Sequence, residues 1–261
     1  MVNMGIFVII LGVIEGLTEF LPISSTGHLI LMSEYLGLEK SFYEVFDVAI
    51  QLGAILAVLR LYPGYFKQAW QRPFQQQNQY MLLALMPICT VGFLFRDIIK
   101  GVLFAPSVIF WGLIVGGIGL IFMERWVPYS SDEQDQKESV TARQAIFIGV
   151  VQCLALWPGM SRSAMSMMGG MLAGLNRVTA ASYSFIIAVP LILITVVYDV
   201  LVSVPKLTFL DVIWMGMGSA VSYGVAYLTM AWFLRFIARQ GLYVFGVYRI
   251  ILGMTGLIIF Q

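Results

Sequence analysis

Between Glu15 and His28 the chain reads EGLTEFLPISSTGH, which gathers two carboxylates, a run of hydroxyls and its only histidine. Glu15 and Glu19 lie four residues apart, so on a helix they share one face. Two carboxylates held that way repel unless one is protonated or a cation sits between them. A divalent ion that prefers oxygen ligands, Mg²⁺ or Ca²⁺, suits such a pair. The plainer reading is two glutamates on the wet face of an amphipathic helix, and their apolar flanks speak against it. Pro22 ends the helix, and the backbone N–H groups of Ser24, Ser25, Thr26 and Gly27 are then free to bind phosphate at the start of the next one. The same four residues would equally serve as a simple helix cap. Ser25 is the expected nucleophile, with His28 three residues on as its base or as the acid for the leaving group. Direct attack by His28, and attack by a water activated by Glu19, stay open.

A second cluster, QCLALWPGMSRS, carries Arg162 between Ser161 and Ser163, just after Pro158 and Gly159. A guanidinium grips two phosphate oxygens at once. Arg162 could also pair with Glu15 or Glu19 and hold the two clusters together. Gln152 is expected to add a supporting hydrogen bond.

The rest of the chain sets where this chemistry happens. Of its 261 residues 60% are hydrophobic and only 11% charged, with a mean hydropathy of +0.89. Soluble domains carry roughly 25% charged residues, so the composition is that of an integral membrane protein. Ionisable groups at membrane depth cost about 2.5–3.5 kcal/mol each on insertion scales and mark function. A net charge of +1 gives no reason to expect a nucleic-acid partner. Cys89 and Cys153 form no CxxC pair and read as small buried hydrophobes. No Lys or Arg precedes Lys40, so a cleaved signal peptide is not expected.

Six segments read as spanning helices: Tyr43–Leu61, Tyr80–Ile98, Ser107–Met123, Ala180–Val202, Leu210–Leu234 and Leu242–Phe260. Two further apolar regions, 4–37 and 144–175, are interrupted at Pro22 and Pro158 and then turn polar. Non-helical backbone is tolerated at membrane depth only where protein covers it or it lines a cavity. Each therefore reads as a re-entrant helix–loop–helix hairpin. The two resemble each other: Gly12-Val13-Ile14-Glu15 returns 137 residues later as Gly149-Val150-Val151-Gln152. Repeats with matching breaks signal an inverted-topology fold with its site where the breaks meet. The expectation is one all-α membrane domain over 1–261, with halves of about 1–128 and 140–261 joined by the polar loop 129–143. Arg60, Lys67, Arg72, Arg125, Lys137, Arg143, Arg177, Arg235 and Arg239 fall on one side and only Lys40, Arg96, Lys100 and Lys206 on the other. The positive-inside rule then puts the first set in the cytoplasm and both termini outside. Gly112-x3-Gly116 and Gly170-x3-Gly174 allow close helix contacts, within one chain or in a homodimer.

EGLTEFLPISSTGH, FDVAIQLGAILAV, QCLALWPGMSRS and the closing VYR at Val247–Arg249 occur in that order. Together they resemble the bacterial undecaprenyl-diphosphate phosphatase, or bacitracin-resistance, family from about residue 10 onward. The resemblance implies an active site of Glu15, Glu19, Ser25, His28 and Arg162 opening toward the periplasm from the bacterial inner membrane. It also implies hydrolysis of a polyprenyl diphosphate lipid to the monophosphate that carries cell-wall precursors. In that reaction Ser24, Thr26, Gly27, Ser161, Ser163 and Arg162 hold the phosphates and a divalent cation sits at Glu15 and Glu19. The rival is a lipid transporter or flippase, since broken repeats are also a transporter design. Phosphate release in detergent, where there is no membrane to cross, separates the two.

Overall fold

The computed structural model describes residues 2–38, 40–103, 105–126, 140–203 and 208–260. Most of the polar loop 129–143, with Lys137, and also Lys206 lie outside the described residues. Twelve α-helices follow in order, and no strand occurs among the described residues. They are α1 (Val2–Thr18), α2 (Ser25–Tyr35), α3 (Lys40–Leu61), α4 (Pro63–Gln71), α5 (Gln76–Leu94) and α6 (Arg96–Ile98), which runs into a π-helical turn at Ile99–Leu103. After these come α7 (Pro106–Trp126), α8 (Ala142–Gln152), α9 (Arg162–Leu172), α10 (Arg177–Ser203), α11 (Phe209–Ile237) and α12 (Tyr243–Ile259).

Both interrupted regions break around their prolines. Helix α1 stops at Thr18, and six residues containing Pro22 precede α2. Helix α8 passes into a 3-10 turn at Cys153–Leu156, and a loop with Pro158 and Gly159 precedes α9. Paired helices start 137 residues apart: Ser25 and Arg162, Lys40 and Arg177, Pro106 and Tyr243. The repeat seen in four residues of sequence thus extends to the order of the helices.

Helices α7, α10 over Arg177–Tyr198, and α11 are each long and apolar enough to cross a membrane, and counting each bent helix pair as one span gives up to five. One expected span needs correction. Tyr80–Ile98 is not continuous, because Phe95 leaves helical geometry (φ −108°, ψ 14°) and the chain turns by 70° into Arg96–Leu103. Likewise α3 turns by 87° into α4, whose residues are all at least partly exposed. Proline at the first position of α4 starts a new helix instead of extending α3.

Small residues let the helices cross closely. A Cβ at Gly12 would come within 2.7 Å of the Gly218 carbonyl, and one at Gly16 equally near the Ser222 carbonyl, so α1 lies backbone to backbone on α11. Of the glycines singled out in the sequence, Gly112 faces Pro158, Gly116 faces Arg249 and Gly170 faces Ala180, whereas Gly174 meets nothing within 4 Å. The largest apolar core runs from Phe20 and Leu21 through Ala164 and Met165 to Phe185 and Phe233. Phe20, Leu21 and Ile23 of the first break and Met160 of the second belong to this core. Cys89 and Cys153 are free thiols, half-buried where full burial was expected.

Candidate active site

The two break loops meet on opposite walls of one cavity of about 180 Å³, many times the room a water molecule needs. Glu19, Ser24, Ser25 and Thr26 come from the first break, and Pro158, Gly159, Ser161 and Arg162 from the second. Gln51 on α3 and Leu191, Ile192 and Thr195 on α10 complete much of the wall.

Arg162 and Glu19, 143 residues apart in sequence, form an ion pair of 2.9 Å from Nη2 to Oε1. Their side chains are only 13% and 9% exposed. Arg162 Nη1 donates to the Ser184 carbonyl at 3.0 Å, and its guanidinium carbon lies 5.5 Å from the Phe20 ring centroid. Phe20 in turn stands edge-on to Phe185. The arginine is therefore held by a carboxylate, a carbonyl and an aromatic face. The Ser25 hydroxyl donates to the other carboxylate oxygen of Glu19 at 2.5 Å. Glu19 thus sits between hydroxyl and guanidinium, one oxygen to each. A serine whose proton already points at a carboxylate is poised to lose it.

His28 is placed differently from the sequence expectation. Its Nδ1 meets the Ser24 carbonyl at 2.8 Å and its Nε2 meets the Tyr248 hydroxyl at 2.7 Å. A carbonyl only accepts, so Nδ1 carries the proton and Nε2 receives the Tyr248 hydroxyl. The two rings lie nearly parallel, 6° apart, with centroids separated by 5.6 Å. Both nitrogens are occupied, His28 is not among the residues lining the cavity, and the partner of the Ser25 proton is Glu19. A residue four positions back is where a helical side chain reaches, which is why the ring finds Ser24.

Other expected residues divide in the same way. Ser24, Thr26 and Ser161 line the cavity; Ser163 and Gly27 do not. Ser163 donates to the Leu21 carbonyl at 2.7 Å and lies 3.0 Å from the Ser161 hydroxyl, so it fastens one break to the other. Gly27 lets α2 close on Leu113. Ser161 caps α9 by accepting from the Ala164 N–H at 3.2 Å, as a side-chain cap should. Gln152 is wholly buried, and neither its amide nitrogen nor its oxygen finds a partner among the described residues.

Glu15 is also wholly buried, and both its carboxylate oxygens lack a hydrogen-bond partner. Its charged neighbours are Glu19, Asp47 and Arg162. Such an orphaned carboxylate fits a cation ligand, whereas Glu19 already spends both oxygens on Ser25 and Arg162. No group of three or more His, Cys, Asp or Glu side chains is assembled as a cage among the described residues. A divalent ion here would need water or substrate oxygens to fill its shell.

Backbone strain is concentrated at the same place. Ser24 (φ 69°) and Ser161 (φ 71°) are the only non-glycine residues with positive φ among those described. They are also 137 residues apart, each immediately before the inner helix of its hairpin. Such conformations cost about 1–3 kcal/mol apiece and persist only where surroundings enforce them. Both strained residues line the cavity.

Three residues went unremarked or unassigned in the sequence. Gln51 is the lone polar side chain in the apolar run 48–58, and that contrast was its signal. Tyr248 gave none. Arg249 is a charge inside an apolar helix, the kind of residue that insertion cost alone should flag.

Fold and site together define an all-helical membrane protein in which a polar cavity pairs a serine hydroxyl with a carboxylate and a guanidinium across two broken helices. Residues 8–255 match the family described as bacitracin resistance protein BacA, and the chain belongs to that family. Similar proteins named undecaprenyl-diphosphatase come from several bacteria. That of Wolinella succinogenes is 41% identical over 250 residues, 94% of each chain. That of Deinococcus radiodurans is 40% identical over 97% of this chain and 94% of its own. That of Persephonella marina is 42% identical over 96% of both.

Proposed function

We propose that this protein hydrolyses undecaprenyl diphosphate to undecaprenyl phosphate and inorganic phosphate. The activity recycles the lipid carrier of cell-wall polymers and gives tolerance to bacitracin. The observation that carries the chemistry is the chain of contacts Ser25–Glu19–Arg162 on the wall of one cavity. The relatives' shared name supplies the substrate.

Phosphoryl transfer is catalysed mostly by positioning and by neutralising charge. Arg162, with the N–H groups of Ser24, Ser25, Thr26 and Ser161, receives the terminal phosphate. Ser25 Oγ attacks its phosphorus as Glu19 takes the hydroxyl proton, and the bond to the bridging oxygen breaks. Undecaprenyl phosphate leaves with that oxygen. Glu19 passes the serine proton to the departing oxygen. Water then attacks the phosphoserine as Glu19 takes its proton and hands it to Ser25 Oγ, so that the P–Oγ bond breaks and phosphate departs with the serine hydroxyl restored. His28 serves this sequence by fixing Ser24 and Tyr248. Glu15 and Glu19 would hold a divalent cation, with water or substrate oxygens filling the rest of its shell. When bound, that ion supplies charge neutralisation for the diphosphate.

The protein is one membrane domain, six spans and two re-entrant hairpins arranged as inverted repeats, in the bacterial inner membrane. Its termini and the cavity mouth face the periplasm. The broken, constant-spacing hairpins support this topology, and their resemblance to transporter architecture also supports a second reading as a lipid flippase. Phosphate release by purified protein in detergent, with and without chelator, decides between them. Release that depends on a divalent ion supports the hydrolase. No release from folded protein sinks it.

A further inference from the structure

Arg249 on α12 is wholly buried and touches no substrate cavity, yet it carries a full charge to the centre of the molecule. Its hydrogen bonds among the described residues all go to backbone carbonyls. Nη1 donates to Pro22 at 3.3 Å. Nη2 faces Gly112 at 3.3 Å, Gly159 at 2.8 Å and Met160 at 2.9 Å. One guanidinium thus holds the first break, the second break and α7. A planar fork with five donors can address three chain segments at once, and an ammonium cannot.

The repeat explains why there is one such arginine and not two. Arg249 stands 137 residues after Gly112, whose carbonyl it holds. A side chain at Gly112 has no room, since its Cβ would come within 2.3 Å of the Pro158 carbonyl. The helix opposite is cut away to admit the one that is present, since a Cβ at Gly116 would overlap its guanidinium.

The direction of the contacts matters more than their number. In a trans peptide the C=O and the following N–H point opposite ways. Drawing the Met160 carbonyl toward Arg249 therefore turns the Ser161 N–H away from it. Ser161 is a strained cap at φ 71° that lines the cavity. Pro22 lies two residues before the other strained cap, Ser24. Strain of this kind needs an outside restraint, and Arg249 is a restraint common to both loops.

We propose that Arg249 is a positioning residue that ties the two break loops together and aims their strained serine caps at the bound phosphate. The inference rests on reading the cavity as the phosphate site. It assigns Arg249 no contact with the reacting atoms.

The test measures inhibition by inorganic phosphate in purified, detergent-solubilised protein, because an inhibition constant does not change when part of a sample is merely inactive. Wild-type protein that releases no phosphate would fail the functional reading itself, independently of Arg249. Given wild-type turnover, Arg249→Lys is expected to raise the phosphate inhibition constant at least about tenfold and to lower kcat by a similar or larger factor. Gly116→Ala, which pushes the fork aside and leaves its charge, should move both in the same direction. Gly256→Ala, placed against Phe110 on the same helix pair, should lower the melting temperature and leave the inhibition constant alone. If Arg249→Lys does not fold, Gly116→Ala decides. An inhibition constant within twofold of wild type in either folded variant overturns the proposal. Failure of both to fold also overturns it, since Arg249 would then be needed for folding and not for aiming the loops.

Discussion

Replacing Glu19 by glutamine isolates the step on which the proposed chemistry turns. The amide keeps the size of the side chain and one oxygen for the Arg162 Nη2 contact at 2.9 Å. It removes the anionic acceptor of the Ser25 proton, now 2.5 Å away. A positioned general base contributes about 10²–10⁴ in rate, or about 2.7–5.4 kcal/mol at 1.36 kcal/mol per tenfold. A second loss adds to it, because Arg162 is left without its countercharge in a pocket where it is 13% exposed. Removing one partner of a buried pair costs about 3–5 kcal/mol when nothing replaces it, and the amide oxygen should keep part of that. Glu19→Gln is therefore expected to fold with a modestly lower melting temperature and to turn over at least about a hundredfold more slowly. Single-turnover release of labelled phosphate separates the chemical step from product release, and a thermal melt in the same detergent checks folding. Turnover within threefold of wild type would refute the base role and return Glu19 to a structural tie for Arg162.

Arg162→Lys should be nearly as damaging as Arg162→Ala, because an ammonium cannot hold Glu19 and the Ser184 carbonyl together while gripping phosphate; kcat/KM for the two variants checks this, and near-normal Lys activity would leave only a charge role. Ser25→Ala should stop turnover while Ser25→Cys keeps a trace, and trapping with labelled substrate should give an acid-stable phosphoserine. An acid-labile, base-stable adduct would move the attack to His28. Excess chelator should abolish phosphate release and added Mg²⁺ or Ca²⁺ restore it, with Glu15→Gln raising the metal concentration for half activity; full activity in chelator would leave Glu15 without a metal role. Gly53→Ala should lower the melting temperature by an amount equivalent to about 1–3 kcal/mol, because its Cβ would strike the Ser219 backbone on α11; an unchanged melt would show that α3 and α11 can separate freely.

The sequence alone determined what is local. Pro22 and Pro158 break their helices wherever they stand, since a missing N–H and a ring clash act on neighbouring residues. The 137-residue echo of Gly12–Glu15 recurs in the starts of three helix pairs. Apolar composition set the membrane, and the polar clusters marked where the chain pays for charge. Only tertiary structure decided which groups meet. Ser25 has His28 three residues away and Glu19 six, and sequence spacing favoured the histidine. The loop between α1 and α2 instead folds back so that the carboxylate receives the hydroxyl and His28 turns to Ser24 and Tyr248. Arg162 reaches Glu19 across 143 residues, and Arg249 reaches Pro22 across 227. No periodic pattern encodes such distances. They follow from how the helices pack, and packing is a property of the whole chain.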